Sequence, residues 1–292
     1  MRRARPLLGT FVEISVADGA PSATEAAVDA AFTAIERVHR LMSFHDPASD
    51  VSRLNRDAAR EAVAVDAWTH AVIAAAIDLH RDSDGAFDVT VAPALQRLGL
   101  LPDMGEPAPH GAASRDAIVL MPDHRVRFRD PATRIDLGGI AKGFAVDRAV
   151  AALRHHGVAR GLVNAGGDLA AFGPGGESVH VRDPRDPRRV VARVDIADEA
   201  LASSGGRIDP LRAAAVAAPA IIDTRTAAPA RAVAGVTVRA PDCMTADALT
   251  KVVMVVGEAA APLLDRYGAS AMLVSPAGDI RASPSWRNAR AA

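Results

Sequence analysis

Asp136-Leu-Gly-Gly139-Ile-Ala-Lys142-Gly143-Phe-Ala-Val-Asp147 is the stretch on which the fold turns. It leads from a strand pattern beginning at Arg134 into a helix over 140–156, which Gly157 stops. Paired glycines at a strand-to-helix turn let the backbone come close to a ligand, and the helix start offers unpaired amides to an anion. Lys142 lies in the first turn, where a cation opposes the helix dipole, so an anionic partner such as a phosphate is one explanation for it. A tight turn carrying a surface lysine is the other. This is not a Walker A loop, because the spacing differs and no Lys-Ser/Thr pair follows.

Working outward, 10–16 alternates in the period of a half-buried strand. Ser22-Ala-Thr-Glu25 reads as a capping box before a helix whose Val28, Phe32, Ile35, Val38 and Met42 share one face. The polar segment 43–55 reads as an ordered loop, and a second helix is expected over 66–79, ending before Gly85. Residues 101–113, rich in Pro and Gly, read as a linker or excursion. Beyond it, 118–121 and 126–128 form a hairpin pattern. Strands are expected at 161–164, 190–195, 234–238 and 271–274, and helices at 244–256 and 259–267. Strands and helices interleave without a regular βαβ rhythm, which predicts an α+β fold rather than a doubly wound sheet.

Composition excludes more than it proposes. The 292 residues carry a net charge of −1, with 49% hydrophobic and only 3% aromatic residues. Such a length allows one large domain or two modest ones. Near-neutrality removes the basic footprint of a nucleic-acid binder, and so few aromatics make a stacking platform for single strands a poor fit. A single cysteine, Cys243, excludes an internal disulfide framework and a Cys-cluster metal site, and reads as a small buried hydrophobe. No stretch approaches the ~20 apolar residues that span a bilayer. Arg2, Arg3 and Arg5 precede no apolar core or lipid-attachment cysteine, so the chain as given is expected in the cytoplasm. The nine histidines form no metal pattern.

Three further segments carry possible chemistry. Asn164-Ala-Gly166-Gly167-Asp168 and Ser203-Ser204-Gly205-Gly206 are glycine-rich turns that could converge with the first segment on one phosphorylated ligand. Asp247, Thr250 and Lys251 share a helix face at i, i+3 and i+4. A carboxylate and a hydroxyl so placed suit Mg²⁺, a hard cation that keeps oxygen and phosphate partners. Capping plus an Asp247–Lys251 surface ion pair, worth only ~0.3–0.5 kcal/mol, is the plainer alternative.

Taken together, these segments resemble the ApbE-type family, the FAD:protein FMN transferases. The likeness covers most of the chain. It runs through Leu8-Gly-Thr10, Met42-Ser-Phe-His with Ser49 and Ser52-Arg-Leu-Asn55, Gly85-Ala-Phe-Asp88-Val-Thr-Val-Ala-Pro93 and the Asp136 segment. Asn164-Ala-Gly-Gly-Asp168, Ser203-Ser-Gly205, Ile221-Ile-Asp223 and Thr245-Ala-Asp247-Ala-Leu complete the family's order. The resemblance implies one flavin-transferase domain over 1–292, binding FAD in a cleft with Mg²⁺ beside its pyrophosphate. The implied reaction moves FMN onto a Thr or Ser hydroxyl of an acceptor flavoprotein and releases AMP. Flavin contacts would fall near Leu8 and on Ala86, Phe87, Asp88, Asp136, Lys142 and Ile222. Metal ligands would be the Gly139 carbonyl, Asp247 and the hydroxyl-bearing end of its helix, where Thr250 stands and Lys251 fills a ligand's position. Asp223 and Asp247 are the candidate catalytic carboxylates. With few aromatics, Phe44 or Phe87 would support the flavin ring, and Lys142 and Lys251 would make the site locally positive. Family members often work outside the cytoplasmic membrane.

Two departures stand out. Where the family has His-Ile-Ile-Asp-Pro-Arg-Thr-Gly, this chain reads Ala220-Ile-Ile-Asp223-Thr224-Arg-Thr-Ala227. Where it has Asp-Ala-Leu-Ala-Thr, this chain has Asp247-Ala-Leu-Thr250-Lys251. Lys251 could supply part of the metal's charge, or pair with Asp247 and displace the ion; alternatively Thr250 could reach it. An FAD-binding protein without transfer activity and an FAD pyrophosphatase therefore stand as alternatives.

Overall fold

The computed structural model describes residues 1–17, 21–102, 116–205, 207–208, 216–217, 221–286 and 289–291. Ala220 and all but the first two residues of the excursion expected at 101–113 lie outside them. An eight-stranded sheet organises the molecule, in the spatial order Arg2–Leu7, Thr10–Val16, Gly161–Ala165, Asp168–Phe172, Glu199–Gly205, Gly235–Ala240, Ser270–Val274 and Ile280–Ala282. Every neighbouring pair in it is antiparallel.

The period of two divides the side chains of this sheet between two cores. Val12, Ile14, Val163, Ala170, Ala200, Ala202, Val238 and Ala271 join the helices Pro21–Met42, Ala141–His155 and Cys243–Val256 on one face. Leu169, Ala171, Leu201 and Met272 face the other way, against Val181, Ala192, Val194 and Ile196 of a three-stranded sheet. Central strands such as Asp168–Phe172 and Ser270–Val274 are consequently buried at every position. That double burial is why they read as continuous apolar runs rather than alternating ones.

Several elements differ from the sequence pattern. The first helix begins at Pro21, so Ser22 sits inside its first turn instead of capping it, and proline suits that position because its missing N–H needs no partner. The supposed loop 43–55 contains a helix, Asp50–Asp57, capped by the Ser49 hydroxyl on the Ser52 amide at 3.0 Å. Its buried face includes Asp50, Ser52 and Asn55, which conceals it from an apolar periodicity. The span expected as one helix over 259–267 is a 3-10 turn, Gly257–Ala260, followed by Ala261–Arg266.

Candidate functional site

Two helices pack closest at one glycine. Gly143 of Ala141–His155 faces Cys243 and Asp247 of Cys243–Val256 so closely that a Cβ on it would lie 2.1 Å from the Cys243 carbonyl oxygen and 2.8 Å from Asp247 Cβ. Only hydrogen fits there. The approach lets the Gly143 amide donate to Asp247 Oδ2 at 3.0 Å. Asp147, one turn further on, accepts the Cys243 and Met244 amides at 2.8 Å each, and so caps the second helix with a side chain from the first. Burial pushes the Asp147 carboxyl up to about 6 despite those two bonds, and neighbouring Asp242 adds to the rise.

Around Asp247 a neutral cluster of four charges forms. Lys142 Nζ contacts Asp168 and lies 3.5 Å from Asp247 Oδ1, while Lys251 Nζ contacts Asp247 Oδ1 and donates to the Asp247 carbonyl at 3.0 Å. Asp247 has 0% side-chain exposure and Asp168 2%, so both carboxylates are held out of water, whereas the Lys142 side chain is 32% exposed and that of Lys251 17%. The Asp247–Lys251 pairing expected on the surface is therefore largely buried. Burial opposes the charge on Asp247, but Lys142 and Lys251 outweigh it and hold the carboxyl below its ordinary range. Burial likewise opposes the Lys142 charge, yet Asp247 and Asp168 raise that ammonium above its usual range. The expectation of a positive site needs correction, because both lysines already face carboxylates.

Thr250 sits behind this cluster. Its hydroxyl donates to the Asp247 carbonyl at 2.6 Å and shares a 2.7 Å hydrogen bond with Ser204, joining the helix to the strand Glu199–Gly205.

Two members of the cluster, Lys142 and Lys251, line a cleft of about 380 Å³. Ala86, Phe87, Asp88, Asp136, Gly139, Lys142, Ile222 and Lys251, all singled out in the sequence, line it. Their approach has local causes. Asn55 clamps the Ile135 backbone from both sides, donating to its carbonyl at 2.9 Å and accepting its amide at 2.7 Å, which sets the approach to Asp136. Burial pushes the Asp136 carboxyl up, against the Gly138 amide, His45 and Lys251. After the helix Ala67–Asp82 the chain turns through left-handed Asp84 and Gly85 to present Ala86 and Phe87. The Thr224 hydroxyl then donates to the Gly85 carbonyl at 2.6 Å, tying the segment after Ile222 to that turn. Thr224 stands where the family has proline, and Ala227, standing where it has glycine, keeps the left-handed turn at φ +53°.

Other predicted residues stand apart from the cleft wall. Leu8 forms a two-residue hairpin turn with Gly9, both left-handed, and its amide donates to His39 Nδ1 at 3.0 Å. Asp223 is held by Arg225 at 2.8 and 2.9 Å, which lowers its pKa. Phe44 is buried in the main core, and of the two phenylalanines expected beneath a flavin only Phe87 lines the cleft. Asp168, quoted only as the end of a glycine-rich turn, proves central. Gly166 and Gly167, at φ +67° and +102°, reverse the chain between adjacent strands and bring it under Lys142.

Cys243 is fully buried, and burial together with Asp168 and Asp147 raises its thiol well above the ordinary range. A thiolate-directed reagent is expected to label no cysteine in the folded protein and the single Cys243 after unfolding. Rapid labelling of the folded state would contradict this placement.

Comparison with known proteins now bears on the cleft. A model of the ApbE family matches residues 8–274. The chain belongs to the ApbE family. An FAD:protein FMN transferase of Vibrio cholerae serotype O1 is 32% identical over 238 residues, covering 77% of this chain and 71% of the relative. One from Treponema pallidum is 28% identical over 315 residues, covering 96% and 86%. Among solved structures, the ApbE protein of Thermotoga maritima superposes with a TM-score of 0.84 at 28% identity, covering 98% of this chain and 97% of that one. The flavin transferase ApbE of Vibrio cholerae gives 0.79 at 25% identity, with the same coverage. The ApbE fold, α+β as the sequence pattern predicts, is thereby shown.

Proposed function

We propose that this chain is an FAD:protein FMN transferase, with 1–292 acting as one domain. It moves FMN from FAD onto a Thr or Ser hydroxyl of an acceptor protein and releases AMP. The observation that carries this is a single cleft with an apolar wall and an ammonium pair. Ala86, Phe87 and Ile222 offer the flavin ring a dry surface, and the ammoniums of Lys142 and Lys251, though paired with Asp168 and Asp247, offer the pyrophosphate charge-assisted hydrogen-bond donors at the cleft wall. Relatives named for this activity support the assignment.

In the transfer, the acceptor hydroxyl oxygen bonds to the FMN-side phosphorus. The bridging P–O bond breaks, and AMP leaves with the electron pair. Charge accumulates on the phosphoryl oxygens, where preorganised ammoniums stabilise it more than they stabilise the ground state. The hydroxyl proton needs an acceptor within the cleft. Asp136 suits that role, since it lines the cleft and its raised pKa brings it nearer to working pH. Asp247 touches no open space and acts through the lysines it holds. Asp223, bound to Arg225, orders its own turn.

FAD and an acceptor protein are the implied partners, and among the described residues no helix is long and apolar enough to cross a membrane. Mg²⁺, implied by the resemblance, does not fit the donor set as it stands. The Asp247 oxygens it would use are engaged by Lys251, the Gly143 amide and the Thr250 hydroxyl. Incubation with FAD and a candidate acceptor domain is expected to raise the acceptor's intact mass by one FMN. An unchanged mass across acceptors that related transferases modify would contradict the assignment.

A further inference from the structure

We propose that the Lys251 ammonium is a built-in counter-ion for the pyrophosphate, standing where a divalent cation would otherwise sit, so that FAD binds without one. This deepens the proposed flavin transfer and rests on it. Lys251 lies four residues after Asp247 on the buried face of Cys243–Val256, which aims its side chain back over that carboxylate. Its Nζ touches Asp247 Oδ1 and donates to the Asp247 carbonyl at 3.0 Å. Its stem runs along Gly139, where an added Cβ would lie 3.5 Å from Lys251 Cε. The ammonium thus sits on Asp247, and its stem passes beside Gly139, the two residues the family resemblance assigns to a metal.

The other side-chain oxygens of the expected ligand set are also in use. Asp247 Oδ2 accepts the Gly143 amide at 3.0 Å, and the Thr250 hydroxyl is shared between the Asp247 carbonyl at 2.6 Å and Ser204 at 2.7 Å. Mg²⁺ demands oxygen ligands in near-octahedral order at about 2.0–2.1 Å, which would require expelling the ammonium. It would also have to approach Lys142 Nζ, which lies 3.5 Å from the same Oδ1. Such a dication would face two positive charges across a carboxylate already neutralised.

An ammonium has three protons. Two are directed at Asp247 Oδ1 and the Asp247 carbonyl, which leaves one for an anion in the cleft that Lys251 lines. A tethered charge also requires no free ion to be captured with the ligand.

Flavin-fluorescence titration with FAD, in EDTA and in millimolar Mg²⁺ at matched ionic strength, tests this on the unaltered protein. The two Kd values are expected to agree within about threefold, and any tighter binding with Mg²⁺ beyond that overturns the proposal. Lys251→Thr is expected to weaken binding in EDTA by about tenfold or more, with Mg²⁺ restoring part of the loss, while Lys251→Arg keeps binding insensitive to the chelator. Parent-like binding by Lys251→Thr in EDTA also overturns it. Absence of FAD binding in both buffers would instead strike the flavin-transfer assignment, and this proposal with it.

Discussion

Lys142→Met is expected to lower both stability and FAD affinity. It strands Asp168, at 2% exposure, and removes one of the two ammoniums beside Asp247, at 0%. Removing one partner of a buried ion pair costs roughly 3–5 kcal/mol, because the charge left behind keeps its desolvation cost without its compensation. In a chain of this size each kcal/mol lowers the melting temperature by about 2–4 °C, so a fall of roughly 6–20 °C should appear in a thermal melt. FAD affinity should fall at least about tenfold, since the pyrophosphate loses an ammonium from the wall of the cleft. The double variant Lys142→Met with Asp168→Asn separates the two effects. Neutralising the stranded carboxylate should recover much of the stability and none of the flavin binding. Parent-like FAD affinity in Lys142→Met would show that this lysine serves the fold alone.

Gly143→Ala should be equally damaging, against the ordinary expectation for a helix. Within an exposed helix, glycine to alanine favours folding by ~1 kcal/mol. Here the new methyl would stand 2.1 Å from the Cys243 carbonyl oxygen, a backbone atom in the first turn of the partner helix that cannot rotate away. The helices must part, which disturbs the Gly143–Asp247 hydrogen bond and shifts Asp247 relative to Lys142. Overpacking costs typically 1–3 kcal/mol, and the absence of any yielding side-chain end at this contact places the loss at ~3 kcal/mol or more. Urea unfolding would show it as a lower midpoint at unchanged slope. A stabilised variant would mean that the two helices do not meet at this residue.

These two positions also mark what the sequence disclosed and what it concealed. Lys142, Gly143 and Asp247 belong to motifs with a local cause: a glycine pair at the turn into a helix, reached through an extended segment at 133–137 rather than the expected strand, and polar residues recurring at helical spacing. Asp168 and Asp147 owe their positions to long-range packing. The hydrogen bond from Gly143 to Asp247 joins residues 104 positions apart, and that from Asn55 to Ile135 spans 80, separations that no local pattern encodes. Four strands of the main sheet, Arg2–Leu7, Asp168–Phe172, Glu199–Gly205 and Ile280–Ala282, were hidden from the sequence, two of them for clear reasons. Arg2–Leu7 presents alternating arginines whose partners, Glu13, Asp29 and Glu36, come from the next strand and the first helix, so no apolar period announces it. Glu199–Gly205 is built of small residues with little preference for a strand, and its place between two other strands makes it one. Lys251 is the instructive case. Its helical spacing to Asp247 was plain, but whether the pair lay in water or in the core decided between a weak surface contact and a cleft-lining charge, and burial is a property of the fold.

The most direct measurement is the product balance of one reaction containing the protein, FAD and an acceptor domain, in which AMP, free FMN and acceptor-linked FMN are all quantified. If FMN transfer is the activity, AMP rises in equal amount to the flavin on the acceptor, and free FMN stays at the level of a control lacking the protein. Free FMN equal to the AMP, with an unmodified acceptor, would show that water rather than a protein hydroxyl takes the phosphoryl group and would contradict the assignment.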